Sequence, residues 1–304
     1  MIIIRNGRIP IPAKNQKAQM KLATGADIPQ VAVGTYRLKG EDAERVVYDA
    51  VCIGYRHIDT AAVYRNEEAV GRAIQRVIAE GIVTRSELFV TTKVSPKQMG
   101  YDKTVDAISQ SLAKLSLEYI DLMLLHWPGT AGKKADSPLN ASNRVGSMQA
   151  LAESHHAGVL KAIGVSNFLE VHFQGLETFP IHVNQVEFHP LQWAPALHGL
   201  ATFCRSRHML MAAYSSLGEG ALLDATAYPE LQVVASRLHC SIAQVLLAWT
   251  CHHGWIVMPK ASSKARLLEN FQLVDLTDAD VAAMNQLVER TGAHKFCWDP
   301  STIA

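Results

Sequence analysis

Eight short apolar runs, each separated from the next by a longer stretch, organise the chain from residue 31 to residue 260. They are VAVGTY (31–36), YRHIDTA (55–61), LFVTTKV (88–94), YIDLMLLHW (119–127), KAIGVSNF (161–168), HVNQVEF (182–188), MLMAAYSS (209–216) and WIVMPK (255–260). Runs that are short, nearly continuous in apolar residues and divided by helical patterns predict parallel strands buried on both faces. A length of 304 residues would suit either two domains or one barrel. Eight repeated units without a break in composition favour a single closed (β/α)8 TIM barrel over two doubly wound halves.

The helical patterns open near Glu41 and near Glu67, and a third passes through SQSLAKL (109–115). Two more, PELQVVASRLH and SIAQVLLAWTC, lie between the seventh and eighth runs, and another covers 277–290. In that last one Thr277 stands three residues before Asp280, an arrangement like a capping box. These extra helices are expected to pack outside the barrel. In MKLATGADIP, Thr24 and Gly25 predict the turn of an N-terminal β-hairpin that plugs the barrel bottom. Residues 1–19 form an N-terminal extension with its own Asn6–Gly7 turn signal, inside one domain spanning 1–304. The polar stretch PGTAGKKADSPLNASNR (128–144) reads as a long loop on the face where βα loops carry function.

Several function classes are disfavoured. A formal net charge of +1 and the lack of a Lys/Arg run argue against nucleic acid as a partner. No segment reaches the roughly 18 uninterrupted apolar residues of a membrane span, and MIII is too brief for a signal-peptide core. The five cysteines are odd in number, scattered and free of CxxC spacing, which suggests neither a disulfide framework nor a zinc site. The expectation is a reduced, cytoplasmic, metal-free monomer.

Barrel active sites form at the C-terminal ends of the strands. The second run ends at Asp59 with Tyr64 just beyond, the third near Lys93, the fourth at His126. Each alone has an ordinary explanation as a helix cap, a solvated charge or a hydrogen-bonded structural group. Together they bring an acid, a phenol, an ammonium and an imidazole to one rim, which the fold itself does not require. Free tyrosine titrates near 10, too high for easy proton exchange at neutrality. A neighbouring ammonium favours the phenolate, and an aspartate keeps that ammonium charged and oriented. Asp59 would then hold Lys93, Lys93 would acidify Tyr64, and a neutral His126 would orient a carbonyl oxygen for protonation. No side chain supplies hydride, so a redox cofactor is implied.

With these residues in place, the chain resembles an aldo-keto reductase. GYRHIDTAAVYRNEEAVG, KAIGVSNF with VNQVEFHP, and IVMPKASSKARLLENF are similar to that family's signatures, in order, from about residue 20 to the end. A GxGxxG fingerprint is absent, which argues against a Rossmann fold. The resemblance implies NADPH as cofactor, without metal or flavin, and Asp59, Tyr64, Lys93 and His126 as the catalytic residues. It also implies that Ser166, Asn167 and Gln185 hold the nicotinamide amide, that Tyr214 stacks on the nicotinamide ring, and that Ser215 and Leu217 meet the pyrophosphate through backbone groups. Lys260, Ser262 and Arg266 would receive a 2′-phosphate at a helix start, with Glu269 and Asn270 at the adenine edge. Ala261 stands where the family often has a serine. The carbonyl pocket would be walled by Tyr36, in place of the family's common tryptophan, and by Trp127, Phe296 and Trp298. The short tail is similar to that of the microbial and protozoal branch with diketogluconate, methylglyoxal and prostaglandin reductases. The implied function is reduction of small-molecule aldehydes and ketones to alcohols. The alternatives are a Schiff-base lyase using Lys93 and a weakly catalytic, nucleotide-sensing barrel that acts through a protein partner.

Overall fold

A computed structural model describes residues 19–304, so the Asn6–Gly7 turn lies outside the described residues. β1 (Gln19–Lys21) and β2 (Asp27–Pro29) pair antiparallel, Met20 opposite Ile28, with Thr24 and Gly25 in the turn as the sequence predicts. Eight further strands follow: β3 (Ala32–Gly34), β4 (His57–Asp59), β5 (Phe89–Val94), β6 (Ile120–Leu125), β7 (Leu160–Ser166), β8 (Val183–Glu187), β9 (Leu210–Tyr214) and β10 (Ile256–Val257). Each pairs in parallel with its successor, and the order β3 to β10 is unbroken. The ring closes through Val31 bridging Val257, Val257 N–H donating to Gln30 O (2.8 Å) and Gly34 N–H donating to Pro259 O (3.1 Å). A Cβ on Gly34 would stand 2.7 Å from Met258 O, so this seam admits only glycine there.

The predicted barrel is present at all eight runs. Two apolar clusters fill it. Leu22 and Ile28 of the hairpin join Phe89, Leu122, Leu124, Val183 and Ile256 inside the ring, so the hairpin does plug one end. The larger cluster lies between the strands and the helices α1 (Gly40–Ile53), α2 (Glu67–Ala79), α3 (Tyr101–Leu115), α4 (Leu139–His156), α5 (Pro195–Ser206), α6 (Pro229–Leu238) and α7 (Ile242–His252). α8 (Lys264–Phe271), α9 (Asp278–Asn285) and α10 (Leu287–Thr291) complete the helical layer. Among the described residues, no single helix is long and apolar enough to cross a membrane.

Three details differ from the sequence reading. β7 and β8 are joined by a 3₁₀ turn, Glu170–Phe173, and not by an α-helix; Gly175 at φ 78° and Pro180 stop helical propagation there, while buried Phe168, Phe173 and Leu176 fill the space. The loop read as 128–144 ends at Pro138, because α4 begins at Leu139. Its polar first turn binds the loop: Asn140 donates to Lys134 O (2.9 Å) and Ala135 O (3.0 Å) and accepts from Thr130 N (3.0 Å). The helix read as 277–290 divides at Gln286 into α9 and α10, although the Thr277–Asp280 capping box is formed.

His57 ties hairpin to barrel, with Nδ1 against Pro29 O (3.0 Å) and Nε2 against Thr91 Oγ1 (2.9 Å). Burial pulls its pKa down from 6.5 to about 4, so folding holds the ring neutral. Its contribution to stability is complete above pH 6.5 and is lost as pH falls toward 4, because the unfolded chain takes up the proton first. That loss amounts to about 3 kcal/mol. Urea titrations at pH 7 and pH 4 should show His57→Gln depending less on pH than the parent; an unchanged dependence would contradict the assignment.

Candidate active site

β4 to β6 deliver their last residues to one rim. Asp59 ends β4, Lys93 lies one residue before the end of β5, and His126 directly follows β6, its N–H bonded to Val94 O (3.1 Å). Tyr64 closes the 3₁₀ turn Ala62–Tyr64. Asn66 anchors that turn: it donates to Thr35 O and Leu38 O (both 2.9 Å) and accepts from Thr60 Oγ1 (2.8 Å). The same bonds hold the segment that carries Tyr36, whose ring centroid lies 5.1 Å from that of Tyr64.

The fully buried Lys93 ammonium donates to Asp59 Oδ1 (2.7 Å), Thr60 O (2.9 Å) and Tyr64 Oη (3.5 Å). All three of its hydrogens therefore have acceptors. Because Tyr64 Oη accepts from Lys93, its own proton is free to point elsewhere. The His126 ring meets Tyr64 edge to face at 5.6 Å. The four side chains picked from the strand ends thus converge. Burial lowers the Lys93 pKa, with Asp59 opposing, and burial together with the Lys93 charge holds His126 well below its ordinary value, so the imidazole is neutral.

Tyr64 moves opposite to the expected direction. Burial first, then the charge of Asp59 and the neighbouring Tyr36, push the phenol well above 10. The ammonium that was to acidify it lies closer to the Asp59 carboxylate, 2.7 Å against 3.5 Å, so it does not offset the burial of the resting phenol, although its N–H still faces Oη. Tyr64 is consequently fully protonated at neutral pH.

Beside this set, the amide residues form a chain of bonds. Gln185 Nε2 donates to Asp59 Oδ2 (2.8 Å) and Ser166 Oγ to Gln185 O (2.8 Å). Asn167, left-handed at φ 64°, donates to His126 O (2.9 Å) and accepts from Tyr214 Oη (2.6 Å). After β9 the chain coils through Ser215, Gly218, Glu219 and Gly220, all at positive φ. Here the N–H groups of Gly218 and Gly220 close turns onto Ser215 O (2.8 Å) and Leu217 O (2.9 Å). The Ser215 hydroxyl meets Cys297 Sγ at 3.3 Å, and Arg37 pairs with Glu219 at 3.5 Å.

Lys260, Ser262 and Arg266 are exposed together around the start of α8, where Ser263 Oγ caps Arg266 N–H (3.4 Å). Glu269 is half-buried; Asn270 is buried, and nothing hydrogen-bonds its amide among the described residues. Two accessible cations at a helix N-terminus and a free buried amide one turn on suit a phosphate and a base edge. Ala261 is buried and offers no polar group.

Of the residues read as a carbonyl wall, Tyr36 lies on Tyr64, and Trp127 and Trp298 pack on each other at 4.7 Å. Phe296 does not join them. Its ring lies beside His189 (5.1 Å) and against Gly218, because Glu187 Oε1 accepts its backbone N–H (2.6 Å) and turns it inward. Sequence reasoning passed over Asn66 and Glu187. For Glu187 the signal was present: two residues beyond Gln185 in a strand, it must share that residue's inward face.

A sequence profile described as the Aldo/keto reductase family matches residues 30–289. The glyoxal reductase of Bacillus subtilis is 38% identical over 264 residues, covering 85% of this chain and 88% of that protein. Among solved structures, an aldo-keto reductase of Bombyx mori in complex with NADP superposes with a TM-score of 0.80 at 33% identity, over 92% of this chain and 94% of that one. An aldo-keto reductase from a deep-sea metagenome gives a TM-score of 0.82 at 32% identity, over 94% and 99%.

Proposed function

The chain belongs to the aldo/keto reductase family, and from that premise we propose that it reduces aldehydes and ketones to alcohols with NADPH, Tyr64 giving the proton to the carbonyl oxygen. The observation that carries this reading is the buried Lys93 ammonium bridging the Asp59 carboxylate and Tyr64 Oη. When bound, NADPH supplies the hydride for the carbonyl carbon. Ser166, Asn167, Gln185 and Tyr214 would hold its nicotinamide end, Ser215 and Leu217 its pyrophosphate, and Lys260, Ser262, Arg266, Glu269 and Asn270 its adenosine end.

The neutral His126 imidazole donates a hydrogen bond to the carbonyl oxygen and orients it toward Tyr64. The Tyr64 proton then passes to that oxygen, and Lys93, already donating to Oη, stabilises the charge left on the phenol. Tyr36, Trp127 and Trp298 flank the carbonyl.

The test is a spectrophotometric screen of carbonyl compounds that follows loss of reduced-cofactor absorbance, run in parallel with NADH. Turnover dependent on both carbonyl and NADPH, and slower with NADH, is expected. Cofactor binding without turnover of any carbonyl would favour the nucleotide-sensing alternative. The lyase alternative needs Lys93 as a free amine, whereas its three hydrogens are already engaged; borohydride trapping of a carbonyl compound on Lys93 would support it nonetheless.

A further inference from the structure

One buried acid lies outside the chemistry just described. Glu187 ends β8, and its carboxylate is wholly shielded from solvent. It accepts from Lys295 Nζ (2.5 Å), Phe296 N (2.6 Å), Cys297 N (3.2 Å) and His189 Nε2 (3.1 Å). Burial alone would raise its pKa, but these donors bring it down to about 2, so it stays ionised. One side chain therefore grips consecutive residues of a segment more than a hundred positions away in sequence.

From the gripped segment that hold reaches three neighbours. Phe296 fills the space above Gly218, Cys297 touches Ser215 Oγ, and Trp298, the next residue, packs on Trp127. At 56% exposed, Trp298 has little packing of its own to hold it. Beyond it the chain is fastened again, Arg144 donating to Ala304 O (2.8 Å) and His172 meeting Ile303 O (3.0 Å). Trp298 thus sits in a span tethered at both ends, and the upstream tether is the one adjacent to it.

The geometry points to Glu187 as a positioning residue for substrate selectivity: its carboxylate clamps Lys295–Cys297 and so holds Trp298 against Trp127 as a wall of the carbonyl pocket. This inference rests on the carbonyl-reductase reading above. An ion-paired, multiply bonded carboxylate is a strong tether, and its loss leaves an exposed tryptophan free to swing away. A large aryl carbonyl, which needs that wall, is affected; a small aliphatic one is not.

A double-mutant cycle tests it, with 2-naphthaldehyde and propanal as substrates and saturating NADPH. Glu187→Gln should raise KM for 2-naphthaldehyde about tenfold and KM for propanal less than about twofold. In a Trp298→Ala background, adding Glu187→Gln should change KM for 2-naphthaldehyde by no more than about twofold, since the clamp acts through Trp298. Equal losses on both aldehydes, or full additivity in the cycle, overturn the inference. If Glu187→Gln does not fold, Lys295→Met removes only the ammonium and should give the same pattern at about threefold; no selective change in KM then overturns it. Parent enzyme inactive with every carbonyl would instead defeat the proposed function itself.

Discussion

Replacing Tyr64 by phenylalanine is expected to lower kcat for aldehyde reduction by about 10³-fold, the usual size of a lost general acid. The effect should fall on kcat and not on cofactor affinity, because Tyr64 Oη bonds to Lys93 and to none of the residues assigned to NADPH. Removing the hydroxyl also frees only the weakest bond of the ammonium, the one at 3.5 Å, so fold and thermal midpoint should be nearly unchanged. Steady-state rates combined with NADPH titration by quenching of protein fluorescence check both parts. Normal turnover by this variant would remove Tyr64 from the mechanism.

Lys93→Met should be worse in a second way. It deletes the charge that stabilises the phenolate, so turnover should drop by at least about 10²-fold. It also leaves the Asp59 carboxylate buried with Gln185 as its remaining side-chain donor. Breaking a buried pair from one side costs about 3–5 kcal/mol. Circular dichroism melts and NADPH-dependent rates, measured on the same preparation, should both shift. A variant that melts like the parent would mean that Asp59 finds other compensation; one that turns over aldehydes within a few-fold of the parent would exclude the ammonium from catalysis.

The barrel was legible because strands buried on both faces have to be written as short apolar runs, and because polar residues stand out where the runs end. Asp59, Lys93 and His126 were found that way, and their convergence follows from the parallel register of β4 to β6. Other features depend on packing that spacing does not encode. The first turn of α4 reads as loop because Asn140 and Asn143 are polar, yet both bond inward, Asn143 to Thr130 Oγ1 at 3.0 Å. The upward shift of Tyr64 comes from desolvation, set by how closely Tyr36 and the rim enclose it, and that enclosure exists only in three dimensions. The grip of Glu187 on the tail spans 108 positions, beyond any local pattern.

The seam between β3 and β10 has a consequence for how the ring is made during synthesis. Its closing bonds join Gln30 to Val257, so β3 has no partner on its outer side until residue 257 has left the ribosome. Through that interval a nascent sheet carries exposed edges able to recruit strands from neighbouring chains. Shielding at that stage would fall to chaperones, and misassembly would begin at those edges before Val257 arrives.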